Sequence, residues 1–233
     1  MSEPFDDLLN EIPDRFIVAH ENIDSELLTD FYACLSGIEK KVADIEIEEK
    51  ALHLFDSDQS ISTKKTILVE LADIGTISAY RQIETYFRTA DDSIREWAKI
   101  ALYECQRKVE SDLVEEKSGI ISTGLGGKNN CIRYVFIVKS NYNLLVYGET
   151  IKKEWSEIIQ KNRSVIEDIE VKKNYIQLLC LAPIDIAIGT IIEDGIKKIN
   201  TVWKNILSMD YMVLNTRIPT REEIEQFINE DEV

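Results

Sequence analysis

The hydrophobic spacing of this chain changes once, at the stretch GIISTGLGGKNN (119–130), and that change constrains the fold strongly. Before it, apolar residues recur every three or four positions. Ile67, Leu68 and Leu71 form one such face, and Ile94, Trp97, Ala98, Ala101, Leu102 and Cys105 another. This is the period of an amphipathic helix. After it, short β-branched and aromatic runs alternate with helical faces. Formal charge changes at the same place. Residues 1–118 hold 13 basic and 27 acidic side chains, net −14, and residues 119–233 hold 14 and 16, net −2. Up to Thr220, before the acidic tail, the second part is +3. Two domains are therefore expected: a helical one over 1–116, a glycine-rich linker over 117–130 and an α+β one over 131–233.

In the first part, Asp91, Asp92 and Ser93 are N-cap candidates for one helix, and Ser60 or Ser62 for another. SISTKKTILVELA (60–72) overlays SIREWAKIALYEC (93–105) at a spacing of 33 residues, so that Ile61 falls on Ile94, Ile67 on Ile100 and Val69 on Leu102. With one residue dropped from the preceding loop, Ala51, Leu54 and Phe55 fall on Ile83, Tyr86 and Phe87. A helix pair repeating at this period marks an α-solenoid. LADIGTISAYRQIETYFRTADDSIREWAKIAL resembles a HEAT or armadillo repeat over about 44–110, with helices near 5–18 and 25–38 as a capping unit. The resemblance implies a scaffold for protein contacts. With two clear repeats, it does not imply a long concave groove.

In the second part, CIRYVFIV (131–138) reads as a strand. Tyr147, Ile151, Trp155, Ile158 and Ile159 line a helix, and strands follow over 165–171 and 175–181 with a tight turn at Lys172-Lys173-Asn174. Ile188, Ile192, Ile199, Trp203 and Ile206 line a long helix, 210–214 is a fourth strand and 221–228 a final short helix. The order β-α-β-β-α-β resembles a ferredoxin-like sandwich with an antiparallel sheet. Its first and third strands are central; here they are the more apolar, while the second carries Glu167, Asp168 and Glu170. One sheet face should be left open. If Val135 and Ile137 face the helices, then Tyr134 and Phe136 face outward beside Tyr175, Gln177 and Leu179. Tyr134, Phe136 and Tyr175 are the candidate interface, to be covered by the helical half or a second copy.

Several chemistries lack their residues. A P-loop needs GxxxxGK[ST]; here Gly127-Lys128 is preceded at the fifth position by Ser122 and followed by Asn129. The stretch also follows a helix and opens a strand, the reverse of a phosphate loop. What remains is a backbone nest near Lys128 and Arg133, the candidate anion contact. A transposase or relaxase of similar strand order needs a histidine pair and a nucleophilic tyrosine, and the only histidines, His20 and His53, fall in the helical half. No nucleophile motif such as GxSxG is present. Cys34, Cys105, Cys131 and Cys180 are dispersed, so buried free thiols are expected rather than disulfides or zinc. No catalytic residue, metal or cofactor is expected.

Apolar residues make up 44% of the chain and charged residues 30%, a globular balance. No apolar run is long enough to cross a bilayer, and the acidic start lacks the features of a signal peptide, so a cytoplasmic protein is expected. Lys139, Lys152, Lys153, Lys161, Arg163, Lys172, Lys173, Lys197 and Lys198 supply positive charge, read as solvated faces and turns. The expected function is a non-catalytic scaffold or regulatory interaction protein that binds a protein partner or itself. The alternatives are a regulatory protein that binds RNA or a small anionic ligand, and an enzyme with a site between the domains. Nucleic acid is not the expected partner: the acidic first part repels phosphate, and the positive charge of the second part is modest for that role.

Overall fold

A helical region and an antiparallel sheet make up a mixed α+β chain in the computed structural model, which describes residues 15–38, 49–114 and 118–230. The contacts divide it into two units, Met1–Ala19 with Ile23–Ile121, and His20–Asn22 with Ser122–Val233. Among the described residues, no helix is long and apolar enough to cross a membrane.

The first unit contains α1 (Ser25–Ser36), a 3-10 turn (Leu52–Phe55), α2 (Ile61–Ile74), α3 (Ile77–Thr89) and α4 (Asp92–Val114). Three of the four starts have a capping side chain. Asp24, Ser60 and Thr76 accept backbone N–H bonds at the starts of α1, α2 and α3. Gly75 ends α2 in the left-handed conformation, with φ 63°. The apolar faces read from the sequence meet in one core that includes Leu68, Leu71, Ile83, Trp97, Ala98 and Cys105. Trp97 donates its indole N–H to the Lys65 carbonyl at 3.2 Å. The overlaid positions match in part. Ile67 and Ile100 are both buried, but Ile61 is exposed where Ile94 is buried.

The expected helix near 5–18 needs correction. Residues 5–14 lie outside the described residues, and β1 (Arg15–Val18) is a strand. It pairs in parallel with β2 (Ser118–Ile121), Arg15 standing opposite Ser118. A buried ion pair anchors β2. Glu104, fully buried, accepts from Arg107 Nε at 2.8 Å and Nη2 at 2.6 Å, and from the Tyr32 hydroxyl at 2.9 Å. Arg107 Nη1 then reaches the Ser118 carbonyl at 3.2 Å. Burial, and next the Glu104 charge, push the Tyr32 phenol well above its ordinary value.

The second unit runs β3 (Gly127–Lys128), β4 (Cys131–Lys139), a 3-10 turn (Leu144–Tyr147), α5 (Gly148–Lys161), β5 (Val165–Val171), β6 (Tyr175–Pro183), α6 (Ile188–Trp203), β7 (Tyr211–Leu214) and α7 (Arg221–Asn229). The sheet is antiparallel. β4 and β6 pair over their full length, β5 lies outside β6, and β7 and the short β3 pair with β4. One face packs on α5 and α6 through Phe136, Val138, Ile176, Leu178, Cys180, Trp155, Ile192 and Ile196. Gly195 is the contact point of α6, since a Cβ there would stand 2.2 Å from the Trp155 ring.

Here the expected strand parity is overturned. Phe136 is fully buried, with its ring centroid 5.3 Å from that of Trp155, and Tyr134 packs on the same core. Val135 and Ile137 lie on the other face, paired with Leu179 and Gln177. Tyr175 stands opposite Lys139 in the register, so it too is on that second face, away from Tyr134 and Phe136. In a central strand apolar on both sides, alternation fixes two sets of residues without saying which set meets the helices. The large Trp155 ring selects Phe136.

Candidate functional site

The glycine-rich stretch, read as a linker, supplies β2 and β3 and a tightly packed loop between them. Gly126 has φ 65°, and a Cβ on it would stand 2.0 Å from the His20 carbonyl oxygen. A Cβ on Gly124 would stand 1.7 Å from the Thr216 carbonyl oxygen. The Leu125 N–H bonds to the Asn215 carbonyl at 2.9 Å. These glycines let three backbone segments of the second unit approach one another. Asn129 and Asn130, with φ 51° and 58°, form the hairpin turn between β3 and β4. Two successive left-handed residues are what a type I′ hairpin turn needs, and Asn-Asn was the available signal for it.

The anion-contact candidates are placed differently from each other. The Arg133 guanidinium is engaged by Glu167 through two bonds, the Nη2–Oε1 one at 2.9 Å, and by the Leu125 carbonyl at 2.6 Å. The Arg133 hydrogen bond holds the Glu167 carboxyl below its usual range. Lys128 is exposed at the hairpin end of β3. His53 lies in the 3-10 turn of the first unit, and His20 counts with the second unit rather than the helical one. No cluster of three metal-ligating side chains occurs among the described residues. Burial pushes the thiols of Cys105 and Cys180 up to about 12, which leaves them inert at neutral pH.

A different group of cations converges on the second face of the sheet. The turn between β5 and β6 is held by Lys172 N–H to the Tyr175 carbonyl at 2.8 Å. The Lys173 carbonyl accepts from Leu144 N–H, and the Asn174 carbonyl from Ser140 N–H, each at 2.8 Å. Both turn residues thus have fixed backbones and exposed side chains. Opposite lies α7. Lys172, Lys173, Tyr175, Arg221, Ile224 and Ile228 line most of a hollow of about 540 Å³, and Glu225 is the one carboxylate in its lining among the described residues. Lys172 pairs with Glu170 and Arg221 with Glu225, both at 2.7 Å and both in solvent. Lys173 has no ion-pair partner among the described residues. Exposed pairs of this kind contribute about 0–1 kcal/mol and exchange readily for another anion. The half-buried Tyr175 ring adds a flat apolar surface. Sequence reasoning named Tyr175 and the lysines, but not Arg221, which comes from a distant helix.

The helical unit holds a larger groove, about 750 Å³, lined in part by Asp30, Lys65, Glu70 and Trp97. Its charges are of both signs, and Lys65 lies over the Trp97 ring at 4.3 Å. It does not focus charge of one sign.

No protein-family model matches the chain, and no curated protein does. Among solved structures, it is similar to one described as the crystal structure of a "putative transposase" from Deinococcus radiodurans R1. Identity is 21%, the match covers 42% of this chain and 88% of that one, and the TM-score is 0.36. The protein matched is described as a transposase and not as a scaffold, and the scaffold expectation is corrected on that finding. At this level the likeness lends the chain no activity of its own. One residue of the candidate interface is also withdrawn by the packing, since Phe136 is in the core.

Proposed function

We propose that the second unit is a ferredoxin-like sandwich that binds a single strand of nucleic acid in the hollow between the Lys172–Tyr175 turn and α7. One observation carries this reading: three cations from two elements, against the single carboxylate of Glu225, surround one half-exposed tyrosine. Single strands are held by cations on the phosphates and aromatic rings under the bases. The cations are few for a duplex, whose recognition takes a larger charged surface and an element in a groove. In the proposed assignment Tyr175 stacks on a base, while Lys173, Lys172 and Arg221 face phosphates. The sandwich assignment is supported by the order β5-β6-β4-β7 with both long helices on one face. For the first unit we propose a HEAT-type helix pair, supported by the shared burial of Ile67 with Ile100, Ala51 with Ile83, and Leu54 with Tyr86.

The test is fluorescence anisotropy with a labelled oligothymidylate of about ten nucleotides at low salt, with oligouridylate and duplex DNA as further arms. Tyr175→Ala weakens binding by about 5- to 150-fold, the range for loss of one stacked base. With three phosphate contacts, log affinity falls against log salt with a slope of about −2. Absence of binding by the wild type, or full affinity in both Tyr175→Ala and Lys173→Ala, overturns the reading.

The wall of the hollow formed by α7 depends on pH. Thr220 and Glu223 form a capping box at the start of α7, and Arg217 pairs with Glu223 in two bonds. The Arg217 hydrogen bond, followed by the Thr220 N–H, holds the Glu223 carboxyl down to about 2. Its folded value is depressed, so its support is complete above the unfolded glutamate value of about 4.3 and is lost as pH falls from there toward 2. Amide protection in α7, corrected for intrinsic rates, falls over that window in the wild type. Glu223→Gln flattens the profile.

A further inference from the structure

Lys139 is a lysine with only 8% of its surface exposed, at the end of a central strand. Burying an ammonium is costly unless its donors are used. Its Nζ donates to the Glu230 carbonyl at 3.1 Å, meets Asp210 Oδ2 at 3.1 Å, and lies 5.5 Å from the Phe227 ring centroid. Two of these three partners belong to the C-terminal end of α7 or its cap. The Glu230 carbonyl is at the negative end of the helix dipole, where a cation is most favourable.

α7 itself is weakly rooted. It has nine residues, too few to persist as an isolated helix, and Ile224 is its one buried side chain. Phe227 and Ile228 are half-buried. Its helicity therefore depends on docking. Its docking rests on Ile224, on the half-buried Phe227 and Ile228, and on Lys139.

We propose that α7 is a movable strap on the second face of the sheet, that Lys139 is the latch holding its C-terminal end, and that strand binding and strap docking are coupled. The coupling rests on the strand-binding reading; the latch does not. α7 supplies Arg221, Ile224 and Ile228 to the hollow. A ligand seated there binds the docked state better than the undocked one, so by linkage it favours docking, and docking favours it. Lys139 is a positioning residue: its Nζ is spent on α7 and Asp210, and it is absent from the lining of the hollow.

The experiment is hydrogen exchange by mass spectrometry on the full chain, with oligothymidylate anisotropy on the same samples. In Lys139→Met, the amides of 221–230 exchange at least about tenfold faster, the effect of losing a charged hydrogen bond. β4 and β6 keep their protection, and oligothymidylate binding weakens severalfold. Phe227→Ala removes the contact from the strap side and gives the same pattern, so the test survives if Lys139→Met fails to fold. Wild-type exchange of α7 in the folded variants overturns the latch. Faster α7 exchange with unchanged affinity overturns the coupling. If the wild type binds no oligonucleotide, the strand-binding reading and the coupling both fall, and the exchange rates still decide the latch.

Discussion

Phe136→Ala lowers the thermal midpoint of the protein by about 6–20 °C. The change removes a fully buried ring that packs on Trp155 at 5.3 Å and on the β6 side chains of the same core. Phe→Ala at such a site costs about 3–5 kcal/mol, from lost transfer energy and the cavity left behind. In a protein of this size each kcal/mol shifts the midpoint by about 2–4 °C. The neighbours cannot close the gap easily, because Trp155 is already wedged against Gly195. The measurement also separates a buried Phe136 from the solvent-facing one that the interface reading expected. A Phe136 open to solvent would cost within about 0.5 kcal/mol on removal. Differential scanning fluorimetry decides between them, and a midpoint within about 2 °C of wild type would refute the packing described.

Gly124→Ala and Gly126→Ala each destabilise the same unit by about 3 kcal/mol. Overpacking costs about 1–3 kcal/mol when side chains can yield. At these positions the obstacle is backbone, the Thr216 and His20 carbonyl oxygens at 1.7 and 2.0 Å. Gly126 adds the strain of a left-handed residue. Gly148 is the control, because a Cβ there meets nothing within 4 Å. Gly148→Ala, within a helix, is neutral or stabilising. A loop that merely joined two bodies would accept alanine at 124 and 126 as readily as at 148, so equal melting in all three variants refutes the packed-loop description.

The glycines show what a linear reading misses. Their density suggested a hinge because glycine-rich composition has that meaning on average. The segments that crowd them, around His20 and Thr216, are about one hundred residues away on either side, and nothing local signals their approach. β1 is a similar case. Its four residues become a strand through pairing with residues 118–121. By contrast, the strand at 165–171 and the helix beginning near 188 were legible, since their periods are local.

The candidate site divides in the same way. Lys172, Lys173 and Tyr175 are neighbours in the chain, and the turn that presents them was readable. Arg221 joins them only because α7 lies on the second sheet face. Arg133 shows the converse. It looked free in the sequence, and Glu167 on another strand engages it.

The sequence by itself determined where the helices and strands of the second unit lie, that helices precede the sheet, and which residues could be buried. Those properties follow from hydrophobic period and capping, which act over a few residues. The tertiary structure decided which face of β4 meets the helices, why the glycines are required, and which cations remain available. Each of these depends on pairings between distant segments, whose cost and geometry no local pattern encodes.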